Sequence, residues 1–209
     1  MTSIVTGDII RSRKVDDPEE WIGPLKTLFK TQGSEPGVWQ FFRGDSFQLE
    51  VKNVEDVLMI ALKMKAAVKC IKYLDIKIAI GIGSKNYSAP RITESNGEAF
   101  IYSGELFDKM TKKNLAIRTP WNEFDKQMNL CFDLAVLTMD RWTQNSAEIV
   151  KMALDWPYLT QRELGEKLGI TQGRVSDRKK RAGLEEILRM EKRFQELVRQ
   201  KIKNDDAVS

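Results

Sequence analysis

Residues 159–187 constrain this chain more than any other stretch, because they fix the ends of two short helices and the turn between them. Thr160 with Glu163 makes a capping box, which predicts a helix starting there. Leu164 and Leu168 form its buried face, and Gly169 supplies the positive φ that ends it. Ile170 plugs the turn, Thr171 caps a second helix, and Val175 buries that helix against the first. Gly165 is small where the neighbouring helix must come close. Two short helices joined this way make a helix-turn-helix, whose second helix lays its outer face in the major groove of DNA. That face carries Thr171, Gln172, Arg174, Ser176, Arg178 and Lys179. Its first residues suit base edges. Arg178, Lys179, Lys180 and Arg181 suit phosphates, which position a protein without specifying sequence. The competing use of such a pair is docking to another protein.

The charge distribution favours a polyanion. Residues 161–209 carry 13 Lys/Arg against 9 Asp/Glu, an excess equal to the net charge of the whole chain, +4. The first 160 residues are neutral, so a neutral body carries a basic tail. The run Thr160-Gln161-x-Glu163-Leu164-Gly165, then Leu168-Gly169-Ile170-Thr171-Gln172 and Val175-Ser176, resembles bacterial regulators and sigma-factor-like domains. That resemblance implies double-stranded DNA as a partner. Leu184 to Ile202 continues as an amphipathic helix that either closes the small domain or pairs with a twin. A single module binds DNA weakly, so a homodimer is expected.

Other compositional features exclude chemistry. There is no histidine, hence no Ser-His-Asp triad, no Cys-His dyad and no imidazole metal ligand. Cys70 and Cys131, both in apolar helical stretches, are expected to be reduced core residues. Neither a secretory signal nor an apolar run of about 18 residues is present, so a cytoplasmic chain without membrane spans is expected.

Residues 3–10 read as a strand ending near Gly7-Asp8, and Asp17 to Phe29 as a helix. Val38–Arg43 and Ser46–Val51 flank Gly44-Asp45, a hairpin signal with Asp45 at the tip. Asn53 can cap a helix reaching Tyr73. Ile76–Ile82 is a central strand closed by Gly81-Ile82-Gly83, bare backbone that something approaches closely. A polar loop over 84–96, a helix over 97–110 and a short strand over 114–119 follow. One long helix is predicted over 121–156, with Phe124, Met128, Cys131, Ala135, Thr138 and Trp142 as its seam. The expected fold is therefore α+β: an antiparallel, ferredoxin-like sheet with packed helices over 1–120, a connecting helix over 121–156, and a small all-α helix-turn-helix domain over 157–209.

In that sheet Asp8 and Asp45 project from the same end. Two carboxylates without histidine suit hard cations, Mg2+ or Mn2+, which can clamp a nucleotide triphosphate. Backbone amides after Asp8, with Arg11, Ser12 and Arg13, could receive phosphate charge, with Arg43 as a further phosphate-binding candidate. The plain alternative is a common Gly-Asp turn and an ordinary strand-end acid.

Gly7-Asp8-Ile9-Ile10-x-Ser12-Arg13, Gly44-Asp45-Ser46-Phe47-Gln48, Ile80-Gly81-Ile82-Gly83 and Gly97-Glu98-Ala99-Phe100 together resemble the SatD family of bacterial proteins over roughly residues 3–119. That family is similar to the catalytic palm of class III nucleotide cyclases. The resemblance implies that Asp8 and Asp45 hold two metals, with the Ile9 carbonyl as a further ligand. This chain departs from the pattern at three places. Ile101 and Glu105 stand where cyclases carry an asparagine and an arginine that steady the transition state, and Ser46 stands where the SatD motif has an acid. Three functions stay open: a DNA-binding regulator with a metal- or nucleotide-sensing domain, an active metal-dependent nucleotidyl cyclase or nucleotide-processing enzyme, and a structural dimerisation domain.

Overall fold

The computed structural model describes residues 1–206. Five strands form one mixed sheet: β1 (Thr2–Ile10), β2 (Trp39–Phe42), β3 (Ser46–Val51), β4 (Asp75–Gly83) and β5 (Leu115–Arg118). Their order is β2-β3-β1-β4-β5, antiparallel throughout except for the parallel pair β4–β5. Side-chain alternation along β1 assigns its faces. Val5 and Ile9 enter the main core, while Ile4 packs with Ala99 and Phe100 on the other side.

Helices α1 (Glu19–Lys30) and α2 (Val57–Lys69) cover the first face. There Phe29 packs on Trp39, Phe41 and Phe47 beneath the β2–β3 hairpin, with ring centroids 5.0–5.8 Å apart. The expected Asn53 cap is absent: Val54–Asp56 form a 3-10 turn, and the Asn53 side chain donates to Asp56 instead. Helix α3 (Glu98–Lys109) covers the second face. The bare backbone of β4 is what lets it do so, since a Cβ on Gly81 would meet the Ala99 carbonyl at 2.2 Å. The close approach expected at Gly81-Ile82-Gly83 is thus made by the chain's own helix.

The stretch 121–156 is two helices and not one: α4 (Asn122–Met139) and α5 (Gln144–Asp155). Thr143 caps α5 by accepting from the Ser146 amide, so the chain turns a corner over residues 140–143. Lys65, 4% exposed, holds this corner by donating to both Asp75 and Asp140 at 2.5 Å. The seam also differs from expectation. Phe124, Met128, Phe132 and Met139 are buried, whereas Cys131 is exposed and Cys70 half-buried, both as free thiols. Asn129 of α4 bonds both the N–H and the C=O of Ile117, covering the free edge of β5 as another strand would.

Helices α6 (Gln161–Leu168) and α7 (Gln172–Arg181) follow, and α8 (Leu184–Asp206) returns across the molecule. Phe194 of α8 packs on Phe124 of α4, and Arg199 grips Glu55 near α2. The C-terminal helix therefore straps the sheet domain. Phe194 and Val198 sit in the same apolar core as the sheet and α2. Among the described residues no helix is long and apolar enough to cross a membrane.

Candidate functional site

Local chemistry sets the geometry of the α6–α7 pair. The Thr160 side chain accepts from the Glu163 amide while Glu163 accepts from the Thr160 amide, a complete capping box. Gly169 ends α6 at φ 64°, a left-handed conformation that glycine adopts without steric cost. Thr171 then caps α7 by accepting from the Arg174 amide. A Cβ on Gly165 would stand 2.7 Å from the Ile170 carbonyl, so the tight turn requires glycine there. Leu164, Val175 and Ile149 are fully buried together, with Met152, Leu159, Leu168 and Ile170 around them.

Ile149 makes this a three-helix unit. One side of α5 buries Ile149 against α6 and α7, and the other buries Ala147, Val150 and Leu154 in the main core. A helix shared by two cores packs the α6–α7 pair against the sheet domain.

With Val175 turned inward, α7 exposes Thr171, Gln172, Arg174, Ser176, Lys180 and Arg181, as expected. Two of the expected contacts lie elsewhere. Arg178 folds back and donates to Glu148 of α5 at 3.1 Å, its side chain only 17% exposed. Lys179 is half-buried, and burial pulls its pKa down against the pull of Glu185. Both sit on the flanks of the inward Val175 stripe, which a count of basic residues along the helix does not show. Asp177 is exposed and belongs to the outer face. An acid there can accept from the exocyclic amine of cytosine. The net result is a narrow outer surface carrying Arg174, Lys180 and Arg181 around one acid.

The second candidate lies at the end of the sheet. Asp8 pairs with Ser46 on one side and Lys77 on the other in the strand register. The connection between β2 and β3 has three residues, Arg43 to Asp45, because Phe42 pairs directly with Ser46. Arg43 takes φ 53° and joins Gly44 in the turn. Arg11, at φ 65°, turns the chain off β1, and Ser12 comes back to donate to Asp45 at 2.6 Å. Ser46 donates to Asp8 at 2.9 Å, and the Ile9 amide donates to the Asp45 carbonyl at 3.2 Å. The Asp45 carboxyl lies within hydrogen-bonding reach of Asp8. Partial burial raises the Asp8 pKa; the Ser46 hydrogen bond opposes this, and the Asp45 charge adds to it.

The sheet therefore brings Asp8, Asp45, Ser12 and Ser46 together. Lys77 joins them, its ammonium 4.1 Å from the Phe107 ring centroid, where burial lowers its pKa and Asp8 raises it. Lys77 escapes a linear reading because only the β1–β4 register sets it opposite Asp8. Arg13 and Arg43 are exposed, next in the chain to Ser12 and two residues before Asp45 respectively. Arg11 faces a separate cavity of about 530 Å³ shared with Lys69, Tyr73 and Trp142. The Ile9 side chain is buried in the main core. Among the described residues no three acidic or thiol groups converge to form a cation cage. Two carboxylates and two hydroxyls offer only oxygen, which fits Mg2+ or Mn2+ only if waters or ligand oxygens complete the shell. Glu105 is tied to Arg118 at 2.6 Å, and Ile101 is 47% exposed.

Comparison with protein families matches residues 139–184 to sigma-70, region 4. No curated protein and no solved structure matches the chain. The matched span runs from the end of α4 to the first residue of α8, so it encloses α5, α6 and α7. By sequence and by geometry, the C-terminal region carries a helix-turn-helix similar to that region of sigma-70.

Proposed function

We propose that this chain is a DNA-binding transcriptional regulator in which α7 enters the major groove. The exposed N-terminal turn of α7 carries the reading, together with the match over residues 139–184. Gln172 and Arg174 would meet base edges, Lys180 and Arg181 phosphates, and the exposed Asp177 would restrict which bases are accepted. The small footprint of one such unit favours action as a homodimer. Selection from a random duplex library, followed by anisotropy titration, tests the proposal. An enriched motif whose affinity drops at least tenfold in Arg174→Ala supports it; no preference over random duplex at 100 mM salt removes it.

The sheet domain is proposed to sense a divalent cation, alone or with a nucleotide, through Asp8 and Asp45. The convergence of two carboxyls, each held by a serine hydroxyl, favours this reading. A bound Mg2+ or Mn2+ would supply charge neutralisation for phosphate oxygens. Asp8 and Asp45 would hold it, Ser12 and Ser46 would fix their orientation, and Arg13 and Arg43 would approach the outer oxygens. Glu105 and Ile101 give no transition-state neutralisation, which favours sensing over turnover. Incubation with each nucleoside triphosphate plus Mn2+ separates the two. Binding without new products supports sensing, whereas products lost in Asp45→Ala would establish an enzyme.

A further inference from the structure

The outer side of α4 carries a pattern that its packing does not use. Glu123, Gln127, Leu130, Leu134 and Leu137 recur along α4 at alternating spacings of four and three, and Arg141 follows at the same spacing in the turn just past the helix. Leu130, Leu134 and Leu137 are 61%, 62% and 60% exposed. Scattered exposed leucines are ordinary, but three successive ones on one helix face are an uncovered stripe. The 3.5-residue mean spacing is that of helices that pair along their length.

We propose that this face pairs antiparallel with the same face of a second copy of the chain. The choice of occupant comes from the two ends of the stripe: Glu123, exposed and paired among the described residues only with its neighbour Lys126 at 2.7 Å, stands at one end, and Arg141, exposed in the turn past α4, at the other. An antiparallel pair with its twofold axis midway between Leu130 and Leu134 sets Leu130 of one copy against Leu134 of the other. The same register sets Glu123 of each copy against Arg141 of the other and packs Leu137 on the aliphatic part of Gln127. A parallel pair would oppose Glu123 to Glu123 and Arg141 to Arg141. Asp133 would lie near its own counterpart at the axis, but Lys113 neutralises it at 2.6 Å. The apolar surface also continues past Leu134 into a groove of about 480 Å³, floored by Ala135, Ile187 and Met190. The contact is isologous, so it closes at two copies and relates their α7 helices by a twofold axis. It specifies the interface of the dimer proposed above and does not depend on whether α7 binds DNA.

Sedimentation velocity of the full chain without DNA, from about 1 to 200 µM, tests this. One helix pair is a small interface, so a reversible dimer with Kd on the order of 1–50 µM is expected. Leu134→Glu, at an exposed position, should raise Kd at least tenfold with an unchanged circular dichroism spectrum. Glu123→Arg should weaken the dimer, and Glu123→Arg with Arg141→Glu should restore it to within about threefold. The length of the 18-residue α4, about 27 Å, separates the two residues, so restoration cannot occur within one chain. In a Cys70→Ser background, a short bis-maleimide should join copies through the exposed Cys131, and Leu134→Glu should abolish that product. A monomer at 200 µM overturns the proposal. So does a dimer indifferent to Leu134→Glu, or a charge swap that fails to restore association.

Discussion

The indole nitrogen of Trp142 donates to the carbonyl of Ala182 at 2.9 Å. Trp142 stands at the corner before α5, and Ala182 caps the end of α7. One buried hydrogen bond thus fastens the entry of the three-helix unit to its exit, and the span it closes nearly coincides with the residues that match sigma-70, region 4. Trp142→Phe keeps most of the ring volume and deletes the donor, leaving a buried carbonyl without its partner. The expected loss is about 1–2 kcal/mol, seen as a fall in Tm of roughly 3–6 °C. An unchanged Tm would mean that the bond does not fasten the unit.

The basic residues of α7 should separate into two classes. Lys180→Ala and Arg181→Ala should weaken binding evenly across duplex sequences, each flattening the salt dependence by about one unit of slope. Arg178→Ala should act through the fold, because Arg178 is bonded to Glu148. Its Tm should fall, while the salt slope of the folded fraction stays as in the parent. A slope change in Arg178→Ala without loss of stability would return that residue to the DNA surface.

Asp8→Asn should leave the fold intact at neutral pH and raise Tm by roughly 1–3 °C. Burial and the Asp45 charge raise the Asp8 pKa in the folded state, so the ionised form is disfavoured there. Asp8 therefore favours folding most below its unfolded value of 3.8 and loses that contribution as pH rises through the folded pKa. The advantage of the variant should shrink as pH falls towards 4. Millimolar Mn2+ should reverse the order by stabilising the parent and not the variant. Thermal scans at pH 4 to 8, with and without Mn2+, read both effects, and equal Mn2+ stabilisation of the two proteins would remove Asp8 from any cation site.

Glu191 gives a second pH response. It is 5% exposed on α8 and accepts from Gln195 at 2.7 Å. Burial raises its pKa against that hydrogen bond, and the charge of Asp56 adds to the rise. Its contribution is again greatest below the unfolded value of 4.5 and is lost as pH rises through the folded one. Glu191→Gln should be more stable than the parent at pH 8 and nearly equal at pH 4.5. A stability difference independent of pH would show that the effect is one of packing and not of charge.

Local rules were sufficient for most of the element order. Alternation in Phe47, Leu49 and Val51 marks β3, and the Thr160–Glu163 box and Gly169 mark both ends of α6, because caps and pleats depend on neighbours in the chain. The convergence of Asp8 with Asp45 was legible once the hairpin was placed beside β1. Tertiary contacts decided the rest. The break of the 121–156 helix depends on Lys65 holding Asp140, a contact between residues 75 positions apart. Cys131 faces outward because Phe132 takes the core, and a stripe of apolar residues on both sides of α4 gives no local clue to which side is buried. Arg178 turns inward to a glutamate that only the packing of α5 supplies. Sequence determined most of the element order and the ends of α6, since those signals act over a few bonds; packing decided where the 121–156 stretch breaks and which charges remain outside, since both depend on faces meeting across the core.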